Sequence, residues 1–177
     1  MSDPFADLLS ANAAYAQQFD LGDLQGRAAR GLAIVTCMDT RIEPLRMLGL
    51  RPGDAKILRN AGGRVTDDVL RTLVLAVHLL GVDRVMVVAH TDCRMAKSSD
   101  EEVHALILRS SGVDTRSLEF RTAPDQDTAL RLDVTRIRAH PLLPRGLPAA
   151  GFLYDVASGR VRTAVAATGG RDVPSDK

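Results

Sequence analysis

The feature that most constrains the fold is the alternation of short apolar runs with helical segments. GLAIVTC (residues 31–37) and DRVMVVAH (83–90) are nearly continuous apolar runs, and AKILRN (55–60) lies between them in the chain. Runs of this kind, separated by helices, are typical of parallel strands buried on both faces. Two more strand-like segments flank a turn at residues 157–160 and predict a hairpin. The sequence therefore predicts an α/β fold with a mostly parallel central sheet flanked by helices and an antiparallel C-terminal edge strand.

The helical segments lie between these strands. The clearest is TDDVLRTLVLAVHLLG, in which Thr66 can cap the N-terminus and Gly81 follows the C-terminus. The 177 residues suit one domain, so we expect a single domain over residues 1–177. Residues 1–25 are expected to form an N-terminal helical arm, because apolar side chains recur there at helical spacing.

Composition excludes several classes of function. The formal net charge is +1 and the chain has four Phe, two Tyr and no Trp, so neither charge nor stacking favours a nucleic-acid partner. No apolar run is long enough for a membrane span, and the N-terminus does not resemble a signal peptide. Only two cysteines are present, which is no disulfide framework. We expect a cytoplasmic protein with a small-molecule substrate.

Chemically active residues gather where the predicted strands end. Cys37, Asp39 and Arg41 alternate in VTCMDTR, so an extended chain would direct them to one side. His90 ends the third strand and Cys93 follows in HTDC. Functional sites in parallel sheets lie beyond the carboxyl ends of the strands, so these groups are expected to meet.

Two thiolates and one imidazole favour zinc, and three protein ligands leave a fourth position open, as in catalytic zinc sites. Asp39 could instead be a fourth ligand and close the site. A phosphatase loop is excluded because Glu43 stands where its arginine should be, and a dithiol motif because the cysteines are far apart. Two buried structural thiols, or a purely structural zinc, remain alternatives at this point.

The sequence CMDTR, followed by RNAGG and HTDC, resembles the β-class carbonic anhydrases, which carry Cys-x-Asp-x-Arg and His-x-x-Cys in this order. The resemblance extends from Gly31 to Cys93 and includes the closing GFLYDVASGRV, whereas residues 94–140 share little with the family by eye. It implies reversible hydration of carbon dioxide to bicarbonate by zinc-bound hydroxide, with an Asp–Arg dyad gating the metal. It also implies a homodimer or a dimer of dimers, with the arm on the partner subunit.

The resemblance further implies a role for each matching residue. One zinc ion per chain would be bound by Cys37, His90 and Cys93. The dyad that controls the metal would be Asp39 and Arg41. The substrate pocket would be lined by Gly62 and Gly63.

Two other functions remain open. One is hydrolysis of carbonyl sulfide or carbon disulfide on the same scaffold, and the other is a catalytically weak zinc-binding interaction or sensor protein. The chain departs from the family at Arg94, where many members have glycine. We expect Arg94 either to form an ion pair with Asp92 or Glu101 or to modify the entrance of the pocket. Arg59 and Arg64 are expected to form structural ion pairs.

Overall fold

The computed structural model describes residues 3–168 and confirms the predicted α/β class. Within this part of the chain, one sheet has five strands: β1 (Leu32–Cys37), β2 (Ala55–Asn60), β3 (Arg84–His90), β4 (Ala149–Tyr154) and β5 (Val161–Val165). Their order is β2-β1-β3-β4-β5. The first four are parallel and β5 is antiparallel to β4, which confirms the predicted C-terminal hairpin.

The same residues form five α-helices: α1 (Ala6–Ala16), α2 (Pro44–Met47), α3 (Asp67–Leu79), α4 (Asp100–Ser111) and α5 (Gln126–Ala139). Short 3₁₀ turns follow β2 at Ala61–Gly63 and β3 at Arg94–Ala96. Thr66 caps α3, since its hydroxyl accepts a hydrogen bond from the backbone N–H of Val69. Ser99 forms a capping box with Glu102 at the start of α4.

The hydrophobic core is divided by the sheet. One face of β1 and β3 packs against α3 and α5 through side chains such as Val35, Val87, Leu73 and Ile137, all fully buried. On the other face, Leu32, Ile34 and Val88 form a smaller cluster near α2. Every residue of β1 is buried, which explains why its sequence is apolar except for Thr36, whose hydroxyl donates a hydrogen bond to the carbonyl oxygen of Val88.

The strand registers bring the predicted site residues together. Cys37 is paired with Asn60 at the carboxyl end of β2, and Thr36 is paired with Val88, two positions before His90 in β3. Three neighbouring strands therefore end at one edge of the sheet, as the sequence predicts.

Within the predicted arm, residues Ala6–Ala16 form α1, which contains no buried residue. The side chains of Phe5, Leu8 and Leu9 are each about 60% exposed. Apolar side chains of this size, exposed together, indicate a surface that a partner covers. None of the helices among residues 3–168 is both long enough and apolar enough to cross a membrane.

Candidate metal centre

Cys37, His90 and Cys93 form a buried cluster at this edge of the sheet. One potential ligand atom from each residue lies within 4.8 Å of the other two, which is close enough for all three to bind one metal ion. Cys37 ends β1, His90 ends β3, and Cys93 lies in the turn that follows. Both cysteines are free, which excludes a disulfide between them.

His90 is oriented as a metal ligand. Its Nδ1 lies 2.9 Å from the carbonyl oxygen of Thr91, so Nδ1 carries the proton and donates it there. In the neutral ring the other nitrogen, Nε2, carries the lone pair, and it is buried without a hydrogen-bond partner. Burial lowers the pKa of His90, but the adjacent Cys37 sulfur and Asp39 carboxylate outweigh it and raise this pKa overall. A bound metal ion would displace any proton from Nε2. A buried nitrogen lone pair without a donor is energetically costly unless a cation binds it. The carbonyl group of His90 itself accepts a hydrogen bond from Gln126 Nε2 at 2.8 Å.

The two cysteine side chains are hydrogen-bonded to each other. A hydrogen bond from Cys93, with further donors from the backbone of Asp39 and Gly62, lowers the pKa of Cys37 to about 4 despite its burial. The neighbouring Cys37 sulfur and burial raise the pKa of Cys93. The shifts favour a thiolate at Cys37 and a thiol at Cys93, and a divalent cation bound between the sulfurs would stabilise both as thiolates.

Asp39 is bound by Arg41. Nε of Arg41 donates to Oδ1 at 2.9 Å and Nη2 donates to Oδ2 at 2.8 Å, while the backbone N–H of Arg41 also donates to Oδ1 at 2.9 Å. This bidentate contact holds the pKa of Asp39 well below its usual range. Asp39 Oδ2 is nevertheless only 3.9 Å from His90 Nε2, so the carboxylate lies beside the position that an ion would occupy.

Gly62 and Gly63 lie against the metal cluster. Both have positive φ angles, +78° and +66°. A Cβ atom on Gly63 would come within 2.9 Å of the backbone nitrogen of Cys37, so only glycine allows the turn to pack on the end of β1. The turn thereby brings the Gly62 backbone within hydrogen-bond reach of the Cys37 sulfur.

Arg64 and Arg59 are both expected to form structural ion pairs, but they make different kinds of contact. Arg64 forms the predicted ion pair, with Nε 2.7 Å from Oδ2 of Asp133 in α5. Arg59 forms hydrogen bonds with carbonyl groups instead: Nε donates to Cys37 O at 3.0 Å and Nη2 donates to Asp39 O at 2.6 Å. The reason is positional, because Arg59 lies one residue before the end of β2, next to the end of β1. It therefore fixes the backbone of the Cys-x-Asp segment.

Arg94 does not form the expected ion pair. Asp92 binds Arg41 and Lys97 instead, and within residues 3–168 the side chain of Arg94 has no hydrogen bond or ion pair. Arg94 is exposed at the start of the 3₁₀ turn after Cys93. Sequence reasoning missed the contacts of Asp92, Lys97 and Gln126, although Asp92 stands inside the HTDC motif.

The residues present fit a zinc ion. Two thiolate sulfurs and one deprotonated imidazole nitrogen are the donors that zinc prefers, and burial excludes competing water from the ligands. The orphaned Nε2 of His90 is the observation that most favours a metal over two buried structural thiols.

Known proteins are similar to this chain over most of its length. A family model described as carbonic anhydrase matches residues 32–161, which includes the segment 94–140 that shows little resemblance by eye. Beta-carbonic anhydrase 1 of Mycobacterium tuberculosis (strain H37Rv) is 37% identical over 156 residues, which are 88% of this chain and 94% of that protein. A carbon disulfide hydrolase of Acidianus sp. is 34% identical over an alignment of 158 positions, which covers 75% of this chain and 76% of that protein.

Solved structures agree. The crystal structure of carbonic anhydrase from Streptococcus mutans has a TM-score of 0.87 with 38% sequence identity, covering 93% of this chain and 99% of that chain. The likeness therefore extends over nearly the whole fold and includes the sheet edge at which the cysteine and histidine cluster lies.

Proposed function

Because the chain belongs to the β-class carbonic anhydrase family, we propose that it catalyses the reversible hydration of carbon dioxide to bicarbonate and a proton. The chain is an enzyme of this family, and we propose which substrate it uses and which role each site residue has. The observation that carries it is the buried set of Cys37, His90 and Cys93 beside an Asp39 that Arg41 holds.

Three side chains would hold the metal. Cys37 and Cys93 supply thiolates, and the hydrogen bond from His90 Nδ1 to Thr91 fixes the tautomer whose Nε2 can bind. When bound, zinc supplies Lewis acidity that makes a water molecule give up its proton near neutral pH. The two thiolates would balance the charge of Zn²⁺, so the ion together with its three protein ligands would carry no net charge.

Asp39 and Arg41 would control the fourth position. With its carboxylate on Arg41, Asp39 is ionised and lies beside His90 Nε2, where it can accept a hydrogen bond from the attacking water and orient it. If Asp39 turned from Arg41 to the metal, it would occupy the place of that water. Arg41 would thus favour the active arrangement by holding Asp39 away from the metal.

Carbon disulfide hydrolysis is the second candidate, because the 34% identical relative from Acidianus carries that name. The same nucleophile could attack either substrate, since both are small, linear and uncharged. We favour carbon dioxide because the carbonic anhydrase relative matches a larger share of this chain, 88% against 75%.

Turnover of carbon dioxide, carbonyl sulfide and carbon disulfide by the zinc-loaded chain separates these candidates. We expect stopped-flow hydration of carbon dioxide to be much faster than either sulfur reaction and to disappear in Cys93→Ser. Faster hydrolysis of carbon disulfide would favour the second candidate. Zinc-loaded protein inactive on all three substrates would favour the non-catalytic alternative.

For assembly, we propose a homodimer in which the arm of one subunit packs on its partner. A cavity of about 360 Å³ lies where β1, β3 and β4 begin, with an apolar lining that includes Leu32, Met86 and Phe152 and with Arg30 and Arg84 beside it. The arm complements it, because the first 26 residues include four Asp and no Lys, Arg or His. The exposed apolar side chains of α1 would fill the cavity and its aspartates would face the two arginines.

We also propose a cytoplasmic location. Thiolate ligands must stay reduced to bind zinc, and both cysteines are free. A reducing compartment meets that requirement.

A further inference from the structure

Arg41 binds a second carboxylate besides Asp39. Its Nη1 donates to Oδ2 of Asp92 at 2.8 Å, and its Nη2 also donates to the Asp92 carbonyl oxygen at 3.2 Å. Asp92 is in turn bound by the ammonium group of Lys97. The dyad is therefore part of a chain of four alternating charges, Asp39, Arg41, Asp92 and Lys97, whose sum is zero.

The two carboxylates occupy different edges of the guanidinium group. Asp39 binds the edge formed by Nε and Nη2, whereas the Asp92 side chain binds Nη1. They do not compete for the same protons, so Asp92 can fix the orientation of Arg41 without removing it from Asp39. An arginine with one bound edge still rotates about its long side chain, and a second anchor reduces that freedom.

A second Asp-Thr-Arg segment in the chain shows which hydrogen bonds this motif forms away from the metal centre. At residues 114–116, the Arg116 backbone N–H donates to Asp114 Oδ1 at 3.0 Å, Nε to Oδ1 at 3.0 Å, and Nη2 to Oδ2 at 2.6 Å. These contacts repeat those of Asp39 and Arg41. In the part of the chain that the structure describes, however, the Arg116 side chain has no partner other than Asp114. The pairing is thus local, and the second anchor is specific to the metal centre.

Asp92 is placed for this contact by an unusual backbone. Its φ angle is +57°, one of only two positive φ angles at non-glycine residues among residues 3–168. Aspartate tolerates this left-handed conformation better than most residues. The turn directs both the side chain and the carbonyl group of Asp92 toward Arg41, directly before the ligand Cys93.

We propose that Asp92, held by Lys97, is a positioning residue that keeps Arg41 on Asp39 and so keeps the fourth metal position free. This inference rests on the proposed function, because it assumes that Asp39 and an exogenous ligand exclude each other at the metal. Loss of Asp92 should release one edge of Arg41, loosen Asp39, and let Asp39 occupy the fourth position more often.

Azide binding to the cobalt-loaded chain tests this, because azide must take the position that Asp39 would otherwise fill. Visible absorption reports both cobalt coordination and the azide titration. We compare the wild type with Asp92→Asn, which removes the charge and tolerates the positive φ, and Asp92→Gly, which removes the side chain without backbone strain. Asp114→Asn is the matched control, since it removes the same charge from the second Asp-Thr-Arg segment.

We expect azide to bind roughly two- to fivefold more weakly to Asp92→Gly, the range for an exposed charge pair. Asp92→Asn and Lys97→Met should weaken it less, and Asp114→Asn should leave it unchanged. Unchanged azide affinity in Asp92→Gly at full cobalt occupancy would overturn the positioning role alone. A wild-type chain that bound no cobalt would overturn the proposed function together with this inference.

Discussion

At the scale of single residues, the pairing of Asp39 with Arg41 is encoded by three consecutive positions. The same Asp-Thr-Arg segment at 114–116 forms the same contacts away from the cysteine and histidine cluster, with only His104 nearby on Thr115. The aspartate therefore needs no metal to find its arginine. Arg41 binds Asp39 through three hydrogen bonds, and this arrangement leaves the fourth metal position free.

Replacing Asp39 by Asn tests whether its charge orients the nucleophile. We expect kcat to fall by roughly 100-fold, the lower end of the usual contribution of a positioned acid or base. Zinc content should remain unchanged, because Asp39 is not needed as a ligand. Stopped-flow kinetics and metal analysis on the same sample check both statements. Asp39→Asn with the rate of wild type would contradict the role of the dyad.

The pH profile separates the nucleophile from the dyad. Arg41 holds the pKa of Asp39 well below its usual range, so Asp39 stays ionised at neutral pH and loses its charge only in strong acid. We expect kcat/KM to rise from about pH 6 to about pH 9, because the attacking water must lose a proton. A profile that stays flat over this interval would count against the mechanism.

The exposed side chain of Arg94 gives a further prediction. Since it has no partner among the described residues, Arg94→Gly should change kcat/KM by less than about twofold, as for most exposed positions. A larger change in steady-state kinetics would assign Arg94 a part at the entrance of the pocket.

Much of the site is predictable at this scale, for a simple reason. Cys37 and His90 end buried strands, and parallel strands end at one edge, so topology alone brings them together. The contact between Arg41 and Asp92 is not predictable in this way. It depends on a left-handed aspartate in a turn, and nothing in the letters HTDC indicates that conformation.

At the scale of elements, the metal centre depends on how α5 meets the turn after β2. Arg64 follows that turn and binds both Asp133 in α5 and the carbonyl group of Arg121. The side chains of Arg64 and Asp133 are only 12% and 3% exposed. A buried ion pair of this kind is costly to break from one side, because the remaining charge stays buried.

We therefore expect Asp133→Ala to lower the free energy of unfolding by about 3 kcal/mol. The control is Asp68→Ala, which removes an exposed pair with Arg71 and should cost less than about 0.5 kcal/mol. Urea denaturation of the two variants and the wild type provides the comparison. Equal stabilities of Asp133→Ala and Asp68→Ala would show that the Arg64 contact is not structural.

The sequence predicts strands and helices where burial restricts which side chains can occur. Resemblance to the family is hard to see in segments whose residues are exposed. β1 is buried at every position and therefore reads as an apolar run. By contrast, α4 has no buried residue, so its exposed positions can vary freely among relatives. The family match nevertheless continues through this segment to residue 161.

At the scale of the whole molecule, the unpartnered surfaces point to assembly. The arm exposes large apolar side chains, and the cavity beside Arg30 and Arg84 is apolar as well. In a single chain the apolar surfaces of the arm and of the cavity stay exposed to water, and association would bury them. The arm and the cavity are complementary in charge, which favours contact between two copies of this chain.

Replacing Leu8 and Leu9 together by Ser tests this interface. Each leucine should contribute about 1.5 kcal/mol or more when buried, and a symmetric dimer would bury two from each arm, so the double variant should weaken the dimer by roughly 10,000-fold. Sedimentation velocity at micromolar concentration should show a dimer for the wild type and monomers for the variant. Leu118→Ser, at a comparably exposed leucine outside the arm, should remain dimeric. A monomeric wild type would contradict the proposed assembly.

The central claim is that Cys37, His90 and Cys93 bind one zinc ion, and X-ray absorption on the purified chain tests it most directly. We expect about one zinc per chain, with two sulfur neighbours near 2.3 Å and nitrogen or oxygen neighbours near 2.0–2.1 Å. Cys93→Ser should lose most of the metal. A zinc ion without sulfur neighbours, or zinc content unchanged in Cys93→Ser, would contradict the account.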